Sequence, residues 1–343
     1  MRWKRFLAVL GARNKEFVRD RATLGWGLAF PMLMLLGMAF IFGGRSELQF
    51  KVGVLGGAAT DGATPQLFTG EPVQLLPVES EEEALAALRR HGFDMVIDPA
   101  PPRRYWINES SSKGSVLETI LRSRSSSPGT GPVAGWDRGT VTGRQLRYVE
   151  WLMPGMLALN AMFSCLFGVG FVIVRYRKNG VLRRLKVTPL TSFEFLAAQV
   201  VSRMILVLFT TALVYVGSDL MLDFTVVGSW LDLTVVFVVG SFCMIALGLL
   251  FASRTASEEL AGGVINLATW PMMFLGGVWF SLDGSPQWIR SAAHSLPLTH
   301  LIEASRAIVN DGASLADVTP NLAYLAIASV VFLIAGSAMF RWE

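Results

Sequence analysis

Charge is scarce in this sequence. Of 343 residues only 16% are Asp, Glu, Lys or Arg while 52% are hydrophobic, against roughly 25% and 45–50% in ordinary soluble domains. Cysteine is scarcer. Cys165 and Cys243 are the only two, too few for a disulfide framework or a four-thiolate zinc site. Both lie in apolar runs, where a free thiol behaves as a small hydrophobe. Histidine numbers three: His91 stands alone, and His294 and His300 are six apart, poor spacing for two ligands on one helix. None of Lys4, Lys15, Lys51, Lys113, Lys178 and Lys186 follows a glycine, so the Gly-Lys of a phosphate-binding loop is missing. No nucleophile–base pair and no His-Glu zinc motif is present. These absences exclude an ordinary soluble enzyme, a disulfide scaffold and a chain that hydrolyses ATP by itself.

What is present is hydrophobicity in blocks, six of them long enough to cross about 30 Å of hydrocarbon at 1.5 Å per residue. They run Leu24–Gly43, Leu152–Val174, Leu196–Gly217, Leu233–Ala252, Leu260–Phe280 and Leu322–Phe340. The first is too long for a signal-peptide core and lacks a small-x-small cleavage site before Arg45, so it reads as a retained anchor. The expected fold is an α-helical polytopic membrane protein with six transmembrane helices and a small α/β extracytoplasmic domain.

Charge sets the direction. Arg2, Lys4, Arg5, Arg13, Lys15, Arg19 and Arg21 precede the first block, and Arg175, Arg177, Lys178, Arg183, Arg184 and Lys186 lie between the second and third. The next loop carries Asp219, Asp223 and Asp232 without a base. The positive-inside rule then puts both termini and the Arg175–Glu194 loop in the cytoplasm, and the Arg45–Glu150 insert outside. The expected organisation is a cytoplasmic interfacial helix over 1–23, a first span over 24–43, an outer α/β domain with its linker over 44–150, and a five-helix membrane region over 151–343. That last region holds a cytoplasmic loop at 175–195 and short outer helices within 281–320.

In the insert, Lys51–Leu55, Val73–Val78 and Asp94–Ile97 read as short strands. Ser80–His91 reads as a helix, with Ser80 and Glu83 in a capping box and Gly92 suited to the stop. A second helix is expected over Ser115–Ser123, and the Ser/Gly/Pro-rich stretch Ser123–Gly139 reads as a linker. Twelve bases and thirteen acids between Arg45 and Glu150 nearly cancel, so long-range steering of a charged ligand is not expected. The pI near 9.3 reflects the inside bias rather than a nucleic-acid partner. Asn108-Glu109-Ser110 fits a glycosylation sequon, a tripeptide frequent by chance.

On the cytoplasmic side, Trp3, Phe6, Leu7, Leu10 and Phe17 fall on one side of a helix with bases elsewhere. This pattern fits an amphipathic helix lying in the membrane interface; the plainer reading is a positive-inside anchor. In the loop, Asn179-Gly180 is a turn pair, Val181–Val187 makes two helical turns, Thr188-Pro189 stops them, and Thr191 with Glu194 caps the next helix. The result is a short helix between two membrane helices, offering Leu182 and Leu185 with Arg183 and Arg184. By shape it is a docking element or, equally, a basic loop with no partner.

The run Lys178-Asn-Gly-Val-Leu-Arg-Arg-Leu-Lys-Val-Thr-Pro-Leu-Thr-Ser-Phe-Glu-Phe-Leu196 resembles the coupling segment of type-2 ATP-binding-cassette (ABC) exporter permeases, which carry a Gly-x-Leu…Arg-Leu…Thr/Ser-Pro pattern between their second and third spans. Pro271–Phe280, Pro286-Gln-Trp288 and Leu296–Arg306 resemble the same family's small-residue fifth span and short outer helices. The resemblance implies a permease half that pairs with a second permease subunit, like or unlike itself. It also implies two cytoplasmic ABC ATPase subunits, which hold the ATP and Mg that this chain does not, docked at Asn179, Gly180, Leu182, Arg183, Arg184, Leu185, Thr188 and Pro189. A bacterial inner membrane, outward transport and room for a periplasmic accessory protein follow from the same resemblance.

Polar residues inside apolar blocks are costly and mark candidate path or gate positions. They are Asn160, Gln199, Arg203 and Asn266, the last beside Trp270. Arg203 either snorkels to the interface or serves a gate; Asn160 and Asn266 either line a path or bond across helices. No acid pairs or His relay cross the spans, which argues against a proton-driven pump. Met, Phe, Leu and Trp walls suit an amphiphilic, drug-like or lipid-like substrate. A membrane receptor or assembly scaffold with a ligand-binding outer domain is the competing reading, and six spans count against it.

Overall fold

The structure is a computed structural model describing residues 2–42, 50–56, 68, 73–78, 80–89, 92–109, 111–125, 136–141, 147–187, 191–224, 226–254, 257–282 and 285–339. The chain divides into two units, Met1–Ile41 with Tyr148–Glu343, and Phe42–Arg147.

The larger unit is helical. It contains α1 (Arg2–Arg19), α2 (Arg21–Phe42), and a long helix built of α5 (Tyr148–Cys165), a π-helical turn (Leu166–Phe171) and α6 (Val172–Lys178). The short α7 (Val181–Lys186) follows, then α8 (Ser192–Leu222), α9 (Trp230–Arg254), α10 (Glu258–Leu275), α11 (Gln287–His294), α12 (Pro297–Asp311) and α13 (Thr319–Met339). Among the described residues, four stretches are long and apolar enough to cross a membrane: Tyr148–Lys178, Glu194–Leu222, Trp230–Ser253 and Thr319–Met339. At 31 residues, α8 is about 46 Å long, well beyond the hydrocarbon thickness.

The other two expected spans differ. In α2 the described apolar part is Gly27–Phe40. The block expected to reach Phe280 stops at Leu275, because Gly276 caps α10 and Gly277 adopts φ +71°, a conformation open to glycine at no steric cost.

The core of this unit is built by α5, the π turn, α9 and α12 around Leu152, Met156, Met162, Val236, Met244 and Leu301. Small residues set the closest approach. Gly170 lies so near α9 that a Cβ on it would sit 2.8 Å from the Gly248 carbonyl oxygen. Helices in lipid pack through such small-residue contacts. Along α8, the face with Ile205, Phe209, Leu213, Val216 and Leu220 stays exposed, as a lipid-facing surface does.

The smaller unit is a three-layer α/β sandwich. Its strands are β1 (Phe50–Leu55), β2 (Val73–Val78), β3 (Met95–Asp98), β4 (Arg103–Asn108) and β5 (Trp136–Val141), with helices α3 (Glu81–Arg89) and α4 (Ser112–Ser125). The sheet order is β2-β1-β3-β4-β5. β1 is parallel to β2 and β3, β3 is antiparallel to β4, and β4 is parallel to β5. Leu117 and Leu121 of α4 cover Val52, Met95 and Tyr105 on one face; Ala84 and Leu88 of α3 cover Val96 and Trp106 on the other.

Ser80 Oγ accepts from Glu83 N at 3.2 Å, the expected cap of α3. The expected linker is corrected at both ends: Ser123–Ser125 close helix α4, and from Trp136 onward it is strand β5. Its polar sequence hides it, since an edge strand needs few apolar residues, and the indole of Trp106 fills the space over Gly139. Asn108 is buried with its amide toward the Leu88 carbonyl, so it is no accessible glycosylation acceptor. His91 lies outside the described residues.

Candidate functional site

The geometry at the C-terminal end of the α5–α6 helix begins with a turn. Gly180 takes φ +67°, its amide donates to the Arg177 carbonyl and Arg184 N donates to the Gly180 carbonyl, which starts α7. A six-residue helix is unstable alone, and two contacts hold it. Leu182 is buried at 2% exposure. Just before the turn, Arg177 Nη1 donates to the Ala252 carbonyl at 3.1 Å and Nη2 to the Ser253 carbonyl at 3.5 Å. These are carbonyls of the last turn of α9, a place that favours cations.

Lys178 Nζ lies 3.9 Å from Glu258 and 4.0 Å from Glu259 at the start of α10. The Glu259 carboxyl is held below its ordinary range by its own backbone amide first, then by the Lys178 charge and Ser257. The turn before α7 is therefore tied to the α9 and α10 ends, which no short-range sequence signal announces.

Burial of Leu182 corrects the expectation that it faces a partner: it is the tooth that anchors α7 to its own chain. The exposed set is Arg183, Arg184, Asn179 and Val187, the last at 87% exposure. Leu185 is helical but its side chain is not described, and Thr188 and Pro189 lie outside the described residues. The cap on α8 is as expected, with Glu194 N donating to Thr191 Oγ1 at 3.2 Å and Thr191 N to Glu194 Oε2 at 2.9 Å.

A second cluster lies where α1 packs along α8. A π turn interrupts the regular hydrogen-bond ladder, and here arginines bond to carbonyls in and beside it. Arg203 Nε of α8 donates to the Ser164 carbonyl at 2.5 Å, and Arg13 Nη2 of α1 donates to the Gly168 carbonyl at 3.2 Å. Arg203 sits over the Phe17 ring at 5.7 Å, and Ser202 Oγ donates to Asn14 Oδ1 at 2.5 Å.

Arg13 Nη1 also donates to Glu16 Oε2 at 2.7 Å and to Tyr176 OH at 2.9 Å, while Tyr176 OH donates to Glu16 at 2.6 Å. Burial pushes the Glu16 carboxyl up, but the bonds from Tyr176 and Arg13 outweigh it and leave the group below its ordinary value. Arg203 is thus fixed inside the unit, with 8% exposure, rather than snorkelling outward. The apolar stripe on α1 is split. Phe6, Leu10 and Phe17 are half-buried, whereas Trp3 and Leu7 stay exposed at 69% and 45%, with Trp3 stacked on Phe6.

Of the other path candidates, Gln199 shares the buried face of α8 with Arg203, and the rest lie on other helices. Gln199 is buried one turn before it on α8. Asn160 is half-buried on α5, and Asn266 and Trp270 are exposed on α10, where Trp270 stacks on Phe274. At the far end of α5, Arg306 of α12 donates to the Trp151 carbonyl and the Val278 carbonyl, both at 3.1 Å, and lies 3.6 Å over the Trp151 ring. Gly155 leaves the space this guanidinium uses.

Long apolar helices carrying a helix–turn–helix with an exposed basic face define a mostly helical, multi-pass membrane protein. Residues 21–338 match the family model described as ABC-2 family transporter protein. The chain belongs to that family, whose members are the transport permeases of ABC transporters and work with ABC ATPase partners.

It is 22% identical to the probable multidrug ABC transporter permease YbhS of Escherichia coli (strain K12), with 98% of this chain and 95% of YbhS aligned. It is also 22% identical to the probable multidrug ABC transporter permease YbhR of the same organism, over 57% of this chain and 53% of YbhR. To the inner membrane transport permease YhhJ of that strain it is 26% identical, over 53% of this chain and 50% of YhhJ. The chain thus spans about half the length of YbhR and YhhJ, and nearly all of YbhS. These relatives are permease subunits rather than ATPases.

Proposed function

We propose that this chain is the permease subunit of an ATP-driven exporter that moves an amphiphilic, drug-like or lipid-like molecule outward across a bacterial inner membrane. In this reading α2, the α5–α6 helix, α8, α9, α10 and α13 make six crossings, both termini are cytoplasmic, and the α/β unit lies outside. Two copies, or this chain and an unlike permease, stand over two ATPase subunits that carry the ATP and Mg.

The observation that carries the proposal is α7. It is anchored inward by Leu182, exposes Arg183, Arg184 and Val187, and follows a turn bonded to the ends of α9 and α10. A helix held in this way passes a push from a docked ATPase straight into three membrane helices. The Arg13–Tyr176–Glu16 and Arg203–Ser164 contacts carry the same displacement into α1 and α8. Half-buried Asn160 and Phe163 on α5 and Phe167 on the π turn, with exposed Asn266, Trp270 and Phe274 on α10, form the wall past which an amphiphile moves. The word multidrug in the names of YbhS and YbhR agrees with an apolar, weakly polar wall.

Reversing Arg183 and Arg184 to Glu tests the docking assignment. Juxtaposing like charges at an interface costs several kcal/mol, so the amount of ATPase co-purifying with the double variant falls at least about tenfold. Unchanged co-purification removes α7 from the contact.

A further inference from the structure

Separation by six residues makes His294 and His300 poor partners on one helix, but they are not on one helix. The chain breaks at Ser295–Leu296, Pro297 starts α12, and the two imidazoles come from the end of α11 and the first turn of α12. Their ring centroids are 5.9 Å apart. Glu303, one turn beyond His300 on α12, brings Oε1 to 3.8 Å from His294 Nδ1. A ligating atom from each of His294, His300 and Glu303 lies within 4.8 Å of the other two.

We propose that His294, His300 and Glu303 form a binding site for a divalent transition-metal ion of the zinc class, clamping α11 to α12.

Three features favour a metal over a chance meeting of polar groups. The donor set is two imidazoles and one carboxylate, which suits zinc and its first-row neighbours and not magnesium or calcium, whose ligands are oxygens. Three protein ligands leave a further position for water.

The second feature is the orientation of His300. Its Nε2 lies 2.8 Å from the His294 carbonyl oxygen. A carbonyl only accepts, so in the metal-bound form Nε2 carries the proton. Donation of one ring N–H to a backbone carbonyl is the usual support of a metal-bound histidine; Nδ1 gives up its 3.1 Å contact with Asn321 Oδ1 when it turns its lone pair to the ion. Stacking on Tyr324 at 3.9 Å between centroids holds the ring, and Tyr324 OH donates to the Ser295 carbonyl at 2.6 Å.

The third is spacing. Tetrahedral ligands at about 2.1 Å from zinc are roughly 3.4 Å apart. The 3.8 Å between His294 and Glu303 closes by rotation of two side chains that are 56% and 39% exposed. Asn321 of α13 places Oδ1 3.1 Å from His300 Nδ1, within reach as a further oxygen.

The test reads metal, not transport, so it stands apart from the exporter reading. The full chain, carried on an affinity tag without histidines, is stripped with a chelator in mild detergent and titrated with zinc against a chromophoric competitor, and with cobalt for its visible absorption. The site predicts saturable uptake of one ion per chain and cobalt bands of a low-coordinate nitrogen and oxygen sphere. His294→Ala and Glu303→Gln each weaken zinc more than about tenfold, while His91→Ala binds as the unaltered chain does. Both informative changes are at exposed side chains, and equal melting without zinc verifies that they fold. Zinc uptake indistinguishable among the unaltered chain, His294→Ala and Glu303→Gln, or no saturable uptake at all, overturns the proposal.

Discussion

The guanidinium of Arg203 occupies the space that a side chain at residue 168 would fill: a Cβ built on Gly168 overlaps it, and Arg203 Nε bonds the Ser164 carbonyl one turn earlier. Residue 168 is glycine for this reason and not for its backbone angles. A cation in the membrane region is expensive, and here backbone carbonyl and aromatic ring take the place of water.

Gly168→Ala is therefore expected to destabilise the protein by about 1–3 kcal/mol through overpacking, and Arg203→Ala by a similar amount through the unpaired Ser164 carbonyl. The double variant should lose less than the sum, because the second change removes the clash made by the first. Thermal unfolding of the four proteins in one detergent measures this; strict additivity contradicts the contact.

Replacing Arg177 by Met should leave ATPase association intact while lowering the ATPase stimulation that substrate produces. Its bonds are to carbonyls of Ala252 and Ser253 and not to the exposed face of α7. Association and stimulation measured on the same preparation separate docking from transmission.

The Glu16 carboxyl is depressed below its ordinary value near 4.5. Its contribution is present above the unfolded value and is lost as pH falls through the lower, folded value. Glu16 is about half exposed, so the effect is at most about 1 kcal/mol. Hydrogen exchange of Arg2–Arg19 should quicken as pH drops below about 4.5, after correction for the intrinsic rate. Glu16→Gln should show the faster corrected exchange at neutral pH and little further change.

Arg306→Lys should not rescue Arg306→Ala. The planar guanidinium stacks on Trp151 and forks between the Trp151 and Val278 carbonyls, and an ammonium reproduces neither. Both variants should lose about 1–3 kcal/mol by thermal unfolding; full recovery with Lys contradicts the stacked geometry.

Much of the helical scaffold was legible from hydrophobic runs, because a helix in lipid must be apolar along its length. Local caps were legible too: Thr191 with Glu194 and Ser80 with Glu83 obey rules that span four residues. Strands β4 and β5 were missed, since Arg103–Asn108 and Trp136–Val141 gain their pairing from distant neighbours. The π turn left no signal that a periodicity reading detects, and its arginine partners lie 155 and 39 residues away. Leu182 illustrates the same limit: an apolar residue on a short helix reads as a docking tooth until its own chain is seen to cover it. His294 and His300 became neighbours only because Pro297 starts a new helix between them.

The most direct test of the central claim is native mass spectrometry of the tagged chain drawn from its own membrane in mild detergent. The account predicts two permease chains with two nucleotide-binding subunits, and loss of those subunits when Arg183 and Arg184 are reversed. A solitary chain, or a complex holding no ATPase, contradicts it.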